Sequence, residues 1–323
     1  MIVGNLLALA AICPFVGSLS DLIGRRYVAI SGSVLIIIGM IVVSTAHSMN
    51  IVIGRVFPQD RATQHGLTSF AGGMVIAGAG AGINELTALA GTAELVPTAK
   101  RGAYVGGMIF TILPWCPSVL YAQLINRAAG WRYVGLVCAV WAFVGLVLVV
   151  LFYNPPDRVN SEGYSRRKIL ARIDYVGGLL SIGGVVLFLM GIQWGGYQYK
   201  WSSVHVLVPL ILGAVLLIVF VIWEGKFAKY PLFPKRLLKD GRVLTLVLII
   251  TFVSGANFFA ILFFWPTEAF NVYGTDPVGI GLRGLPIGFS ILLGAIVCLV
   301  LIGVTKGRIR LLLIFFSAVM TAG

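Results

Sequence analysis

The apolar residues of this chain come in long unbroken runs, at about 1–18, 28–46, 72–95, 103–125, 133–153, 175–194, 204–223, 243–266 and 279–304, with a tenth beginning near 311. Such runs match the ~20 residues with which a helix crosses roughly 30 Å of hydrocarbon. The expected fold class is therefore all-α, a polytopic membrane helical bundle. Charged residues make up 11% and hydrophobic ones 59% of the 323 residues, where an ordinary soluble domain is about 25% charged, so a soluble globule is excluded. Residues 1–16 lack a basic leader and a small-x-small cleavage site, and read as a span rather than a signal peptide.

A formal charge of +13 raises the question of nucleic acid. The basic residues, however, sit in short loops between the runs, where they report topology and argue against a nucleic-acid partner. Spans alternate in direction, so the loops form two sets. One set holds eighteen Lys and Arg, among them Arg25, Arg26, Lys100, Arg101, Arg166, Arg167, Lys168, Arg172 and six residues between Lys226 and Arg242; the other holds Arg55, Arg61, Arg127, Arg132, Lys200 and Arg283. Lys and Arg mark the cytoplasmic face, which places the first set inside and leaves the N-terminus outside. A span upstream of Met1 removes that awkward placement, and the tenth run stops at Gly323. The expectation is a bundle truncated at both ends.

Little in the sequence suggests catalysis. Cys13, Cys116, Cys138 and Cys298 fall within apolar runs without a CxxC pair, and His47, His65 and His205 are scattered. This pattern supports neither a disulfide framework nor a metal site, no cofactor is expected, and no G-x-S-x-G suggests a hydrolase. A membrane enzyme is thus disfavoured. The glycines precede no Walker lysine and follow no strand, which excludes a nucleotide loop. Pairs spaced by four, Gly102 with Gly106, Gly191 with Gly195 and Gly284 with Gly288, instead predict flat stripes where helix backbones approach. The polar stretch Gly54 to Phe70 reads as an external loop, with a translated intron as the alternative.

Between the first two runs stands Gly17-Ser18-Leu19-Ser20-Asp21-Leu22-Ile23-Gly24-Arg25-Arg26. Its glycines permit a tight turn and its arginines anchor at an anionic inner surface. The pattern G-x-L-x-D-x-x-G-R-R resembles the signature loop of the major facilitator superfamily, carried here by Gly17, Leu19, Asp21, Gly24, Arg25 and Arg26. In that family the loop joins the second and third helices, which again implies a span before Met1. Further segments, Gly78 to Ala88, Glu94-Leu95-Val96-Pro97, Arg172 to Gly178, Gln193-Trp194-Gly195-Gly196, Asn257-Phe258-Phe259, Trp265-Pro266-Thr267 and Asn271 to Gly274, are similar to the fungal 14-span drug:proton antiporters, within them the trichothecene efflux pump-like family.

The resemblance implies a division into 1–153 as the N-terminal bundle (helices 2 to 6 of 14, the first missing), 154–173 as a cytoplasmic linker, 174–242 as two extra helices with a basic loop, and 243–323 as the start of an incomplete C-terminal bundle. It also implies a secondary active transporter in a multi-pass membrane setting, with protons and a small amphipathic molecule (a toxin, secondary metabolite or drug) as partners beside the bilayer. The plasma membrane is the expected location, a vacuolar or other internal membrane the alternative. The competing functions are siderophore-iron uptake with the same fold, a non-transporting receptor, and an inactive fragment.

Glu85 is the candidate proton-coupling residue. It lies mid-run beside Gly80, Gly82 and Asn84, and a carboxylate at that depth costs about 2.5–3.5 kcal/mol unless it faces a wet interior or is protonated. A structural hydrogen-bonding role is the alternative. Asn84, Trp115, Gln123, Gln193, Trp194, Asn257 and Trp265 are the candidate cavity residues, and Tyr199 and Trp201 are expected at the membrane interface. Two features depart from the resemblance: Met74 stands where many drug antiporters have arginine, and Pro114 and Pro117 occur without the full glycine-proline signature.

Overall fold

Most of the apolar runs become helices, and Pro209, Pro266 and Pro286 stand inside theirs. A computed structural model describes residues 2–45, 61–97, 104, 107–108, 110–155, 174–196, 198–228, 241–274, 276–305 and 309–322. The helices are α1 (Ile2–Ile23), α2 (Arg25–Thr45), α3 (Arg61–Leu95), α4 (Ser118–Ala128), α5 (Arg132–Phe152), α6 (Tyr175–Trp194), α7 (Val204–Ile222), α8 (Gly241–Tyr273), α9 (Pro277–Val304) and α10 (Ile309–Ala322). Among the described residues, seven helices are long and apolar enough to cross a membrane. The all-α, multi-pass expectation is met.

Three boundaries differ from the sequence reading. The turn expected between the first two runs is reduced to Gly24, which lies between α1 and α2 with φ +96°. That left-handed conformation strains any residue with a Cβ, so the signature segment is helical on both sides of one glycine. The run 103–125 is not one long helix: a 3-10 turn at Leu113–Trp115 precedes α4, because Pro114 and Pro117 withdraw two N–H donors and crowd the preceding turn. Finally, the polar stretch before residue 70 is helical from Arg61 onward, since α3 begins there; residues 54–60 lie outside the described residues, as do 156–173 of the linker and 229–240 of the basic loop.

The helices group into two compact units that alternate along the chain, residues 1–88 with 135–246 and residues 89–134 with 247–323. In the first unit, glycine sets the spacing. A Cβ built on Gly80 would sit 2.5 Å from the Gly32 carbonyl oxygen and 2.8 Å from Ile36 N, and one on Gly73 would sit 2.8 Å from the Gly39 oxygen. The backbones of α2 and α3 therefore touch along antiparallel stripes, as small residues allow where lipid offers no hydrophobic drive for association. Val16, Val28 and Ile83 bury together where α1, α2 and α3 meet. The helices α6 and α7 pair in the same way: a Cβ on Gly191 would sit 2.8 Å from Leu210 N, and one on Gly213 2.7 Å from Phe188 Cα and 2.9 Å from the Gly184 oxygen. Asp174 caps α6 by accepting from Gly177 N at 2.9 Å, and its carboxylate also accepts from the Trp223 indole at 3.0 Å. One acidic side chain thus ties the start of α6 to the end of α7. In the second unit, α9 lies against α4 and the proline-broken turn, through Gly281 on Leu120 and Gly288 on Cys116.

Candidate functional site

The structure gathers most of the candidate residues at four places, three in the first unit and one in the second.

At the signature segment, Arg25 opens α2 and is buried, whereas Arg26 reaches the end of α5, donating to the Val150 carbonyl at 2.7 Å and to the Asn154 side chain. The last carbonyls of a helix have no partner within it and carry the negative end of the dipole, so a guanidinium there satisfies both. Gly17, Leu19 and Asp21 belong to α1. A Cβ on Gly17 would meet nothing within 4 Å, so this glycine serves no close approach within the described residues.

Glu85 and Asn84 lie on α3 and face different neighbours. Asn84 turns to α2, its carboxamide 3.0 Å from Ser33 Oγ; with oxygen and nitrogen exchanged it also donates to the Ala29 carbonyl at 2.9 Å. That exchange satisfies both ends of the amide, and amide orientation is set by such networks. Asn84 is accordingly a pin between two helices rather than an open cavity wall. Gly78 and Gly82 turn instead to α1, over Asn5 and Leu9, and Glu85 continues their stripe to within electrostatic reach of Cys13. Its side chain is exposed, and this stripe holds the ionisable group that the sequence marks as the coupling candidate. Two residues escaped the sequence reading here. Ser33 is the partner of Asn84, and Asn5 places its Oδ1 over Gly78, buried and without a hydrogen-bond partner among the described residues. A polar residue directly after a glycine, as in Gly4-Asn5 and Gly32-Ser33, was the available signal for both.

Gln193 and Trp194 end α6, where the chain turns at Gly196 (φ +78°). Trp194 meets Tyr199 edge-on at 6.2 Å, and Tyr199 stacks on His205 at 4.8 Å. Trp201 covers Gly195 and Gly196. The Gln-Trp-Gly-Gly segment therefore builds an aromatic turn between the two helices, a composition suited to the water interface of a bilayer. Gln123 lies on α4 and Asn257, exposed, on α8.

Trp115 and Trp265 come together within the second unit. They line a cavity of about 250 Å³ with Cys116, Val119, Pro266 and Gly284, and no Asp, Glu, Lys, Arg or His lies on its wall among the described residues. The proline-broken turn supplies Trp115 and Cys116, α8 supplies Trp265, and α9 supplies Gly284. Among the described residues, no group of three His, Cys, Asp or Glu side chains stands close enough to hold a metal ion.

Comparison with known proteins gives this arrangement a family. An MFS-type efflux transporter of Aspergillus flavipes is 29% identical over 285 residues, covering 87% of this chain and 46% of that protein. The trichothecene efflux pump of Fusarium sporotrichioides is 26% identical over 269 residues, 80% of this chain and 41% of that one. A solved structure of the xylose transporter XylE from E. coli, in a partially occluded inward-open conformation, is 20% identical with a TM-score of 0.43, covering 93% of this chain and 74% of that one. The chain spans about half the length of the two efflux proteins. The model of the fungal trichothecene efflux pump family matches residues 6–278, taking in the signature segment, the Glu85 stripe and the two tryptophans of the cavity, and the chain belongs to that family.

Proposed function

We propose that the full-length protein is a secondary active transporter that exports a small amphipathic molecule in exchange for protons. The family match over residues 6–278 carries this reading, since the family is one of efflux pumps. Two structural features support it. The cavity beside Trp115 and Trp265 is apolar and aromatic, the character of pockets that hold drug-sized molecules with few polar contacts. Glu85 is an ionisable group on a membrane-depth helix, the default position for a proton relay. The helices of 1–153 and those from 243 onward then belong to the two bundles that rock about the cargo, 174–242 supplies the two additional helices, and 154–173 is the cytoplasmic linker. The excess of Lys and Arg on one set of loops supports a cytoplasmic position for that set. Export from the cell assigns the pump to the plasma membrane, with a secondary metabolite of trichothecene size and polarity as cargo.

The test is transport by the full-length protein in sealed, inverted membrane vesicles. An imposed gradient, acid inside, drives accumulation of a trichothecene above the level in vesicles without the protein, and a protonophore abolishes it. Accumulation that is indifferent to both gradient and protonophore rejects proton exchange; no accumulation of any amphipathic test molecule rejects export.

A further inference from the structure

We propose, building on the transport reading, that the cavity of the second unit is a recognition site for an uncharged, ring-bearing molecule, sandwiched by the indoles of Trp115 and Trp265, and that Gly284 sets the size of ring it accepts. Three observations carry this assignment.

The first is the chemistry of the wall. Its polar side-chain atoms are the Ser118 hydroxyl, the Cys116 thiol and the indole nitrogens, and the rest is aliphatic or aromatic. The thiol is already turned to the Ile112 carbonyl at 3.7 Å. An ionised ligand would lose its hydration there without gaining a counter-charge, a penalty that far exceeds the gain from apolar contact. Indole rings, in contrast, reward a flat apolar partner in offset or edge-to-face contact.

The second is size. About 250 Å³ lies just below the ~300–1,000 Å³ usual for drug-sized ligands. The space suits two or three fused rings, or the ring portion of a larger cargo.

The third is the contrast between two glycines on the same face of α9. A Cβ on Gly288 would lie 2.8 Å from the Cys116 carbonyl carbon and 2.9 Å from its Cα, so this glycine is required for backbone contact. A Cβ on Gly284 would lie 3.5 Å from Val119 and 3.8 Å from the Trp265 ring, ordinary contact distances. Close packing thus demands glycine at 288 but not at 284, where the missing side chain leaves its volume to the cavity between Val119 and Trp265.

The experiment reads occupancy through Cys116, which is 7% exposed and lines the cavity, with Cys298 of α9 as the internal reference. The chain in lipid nanodiscs is treated with methyl methanethiosulfonate, and modification of each cysteine is followed by mass spectrometry. We expect 2-methoxynaphthalene to slow modification of Cys116 at least about fivefold while leaving Cys298 unchanged, and 2-naphthalenesulfonate, the same ring with a charge, to protect neither. Gly284→Ala should raise the half-protecting concentration about tenfold, the discrimination that one methylene commonly gives in an apolar pocket, with an unaltered unfolding temperature. Trp265→Phe, which retains a smaller ring, should raise it severalfold. Equal slowing at both cysteines, equal protection by the sulfonate, or an unchanged half-protecting concentration in Gly284→Ala overturns the assignment. Failure of the site and failure of the transport reading remain separable. Gradient-driven export that persists without Cys116 protection sinks the site alone, and protection without gradient-driven export by the full-length protein sinks the transport reading alone.

Discussion

The Arg26 guanidinium, at the start of α2, donates to the Val150 carbonyl in the last turn of α5 at 2.7 Å, joining residues 124 positions apart. The signature segment is therefore a fastener for the end of another helix as well as a turn. The contact is exposed, so its worth is held to about 1 kcal/mol by solvent screening. Arg26→Ala should lower the thermal unfolding temperature of the chain in nanodiscs by a few degrees. Arg26→Lys should recover only part of the loss, because a single ammonium cannot serve the carbonyl and the Asn154 side chain with a rigid fork. Equal unfolding temperatures for wild type and both variants would remove the fastening role.

Close backbone contact at Gly80 makes the opposite prediction to that at Gly17. A methyl group at Gly80 has to displace the Gly32 carbonyl, 2.5 Å from its position, and backbone cannot turn aside as a side chain can. Gly80→Ala should cost about 1–3 kcal/mol through overpacking. Gly17→Ala meets nothing within 4 Å inside α1 and should be neutral or stabilising, by up to ~1 kcal/mol from helix propensity. Thermal unfolding of the two variants side by side checks the sign of each; a destabilised Gly17→Ala beside an unaffected Gly80→Ala would contradict this account of the helix contacts.

These contrasts show which features were legible in the sequence. Run length alone specified a membrane helical bundle, because the bilayer imposes one length on every span. The place of Tyr199 and Trp201 just past the end of a span followed from residue types whose preferences are local, although Trp194 joins their aromatic turn and Pro114 and Pro117 break a run expected to continue as one helix. The partners of Asn84 and Arg26 did not, since Ser33 and Val150 stand 51 and 124 residues away and no local pattern encodes such a distance. The same holds for the cavity: Trp115 and Trp265 were readable individually as candidates, but their meeting depends on how α9 seats against the broken turn through Gly281 and Gly288. Glycine spacing announces that backbones will approach without saying which helix arrives.

Asp174 offers a separable test of capping against cross-linking. Its carboxylate accepts from Gly177 N at 2.9 Å and from Trp223 Nε1 at 3.0 Å. Loss of the cap costs about 1 kcal/mol, and loss of a hydrogen bond to a charged group about 1.5–3 kcal/mol. Asp174→Ala should therefore destabilise more than Trp223→Phe, which leaves the cap in place. The double variant should be no worse than Asp174→Ala together with the small packing cost of the indole, because the shared bond is lost only once. Strict additivity of the two single effects would show that the indole contact contributes nothing.

Glu85 carries the riskiest prediction. It lies on the α1-facing stripe of α3 after Gly78 and Gly82, exposed and within reach of Cys13, whereas its neighbour Asn84 is engaged with Ser33. The polar contact between α2 and α3 thus runs through Asn84, which leaves Glu85 available for a changing charge. Glu85→Gln in the full-length protein keeps side-chain size and hydrogen-bonding capacity and removes only the ability to gain and lose a proton. Proton-driven efflux should collapse by at least about tenfold, while counterflow exchange of cargo, which needs no net proton movement, should largely survive. A purely structural carboxyl gives the reverse, because glutamine would serve the same partners and spare both activities. The control is Asn84→Leu, which removes the pin to Ser33 and should lower thermal stability and both transport modes together. Proteoliposome transport with and without an imposed pH gradient separates these outcomes, and an unchanged gradient-driven rate in Glu85→Gln would move the coupling site elsewhere in the protein.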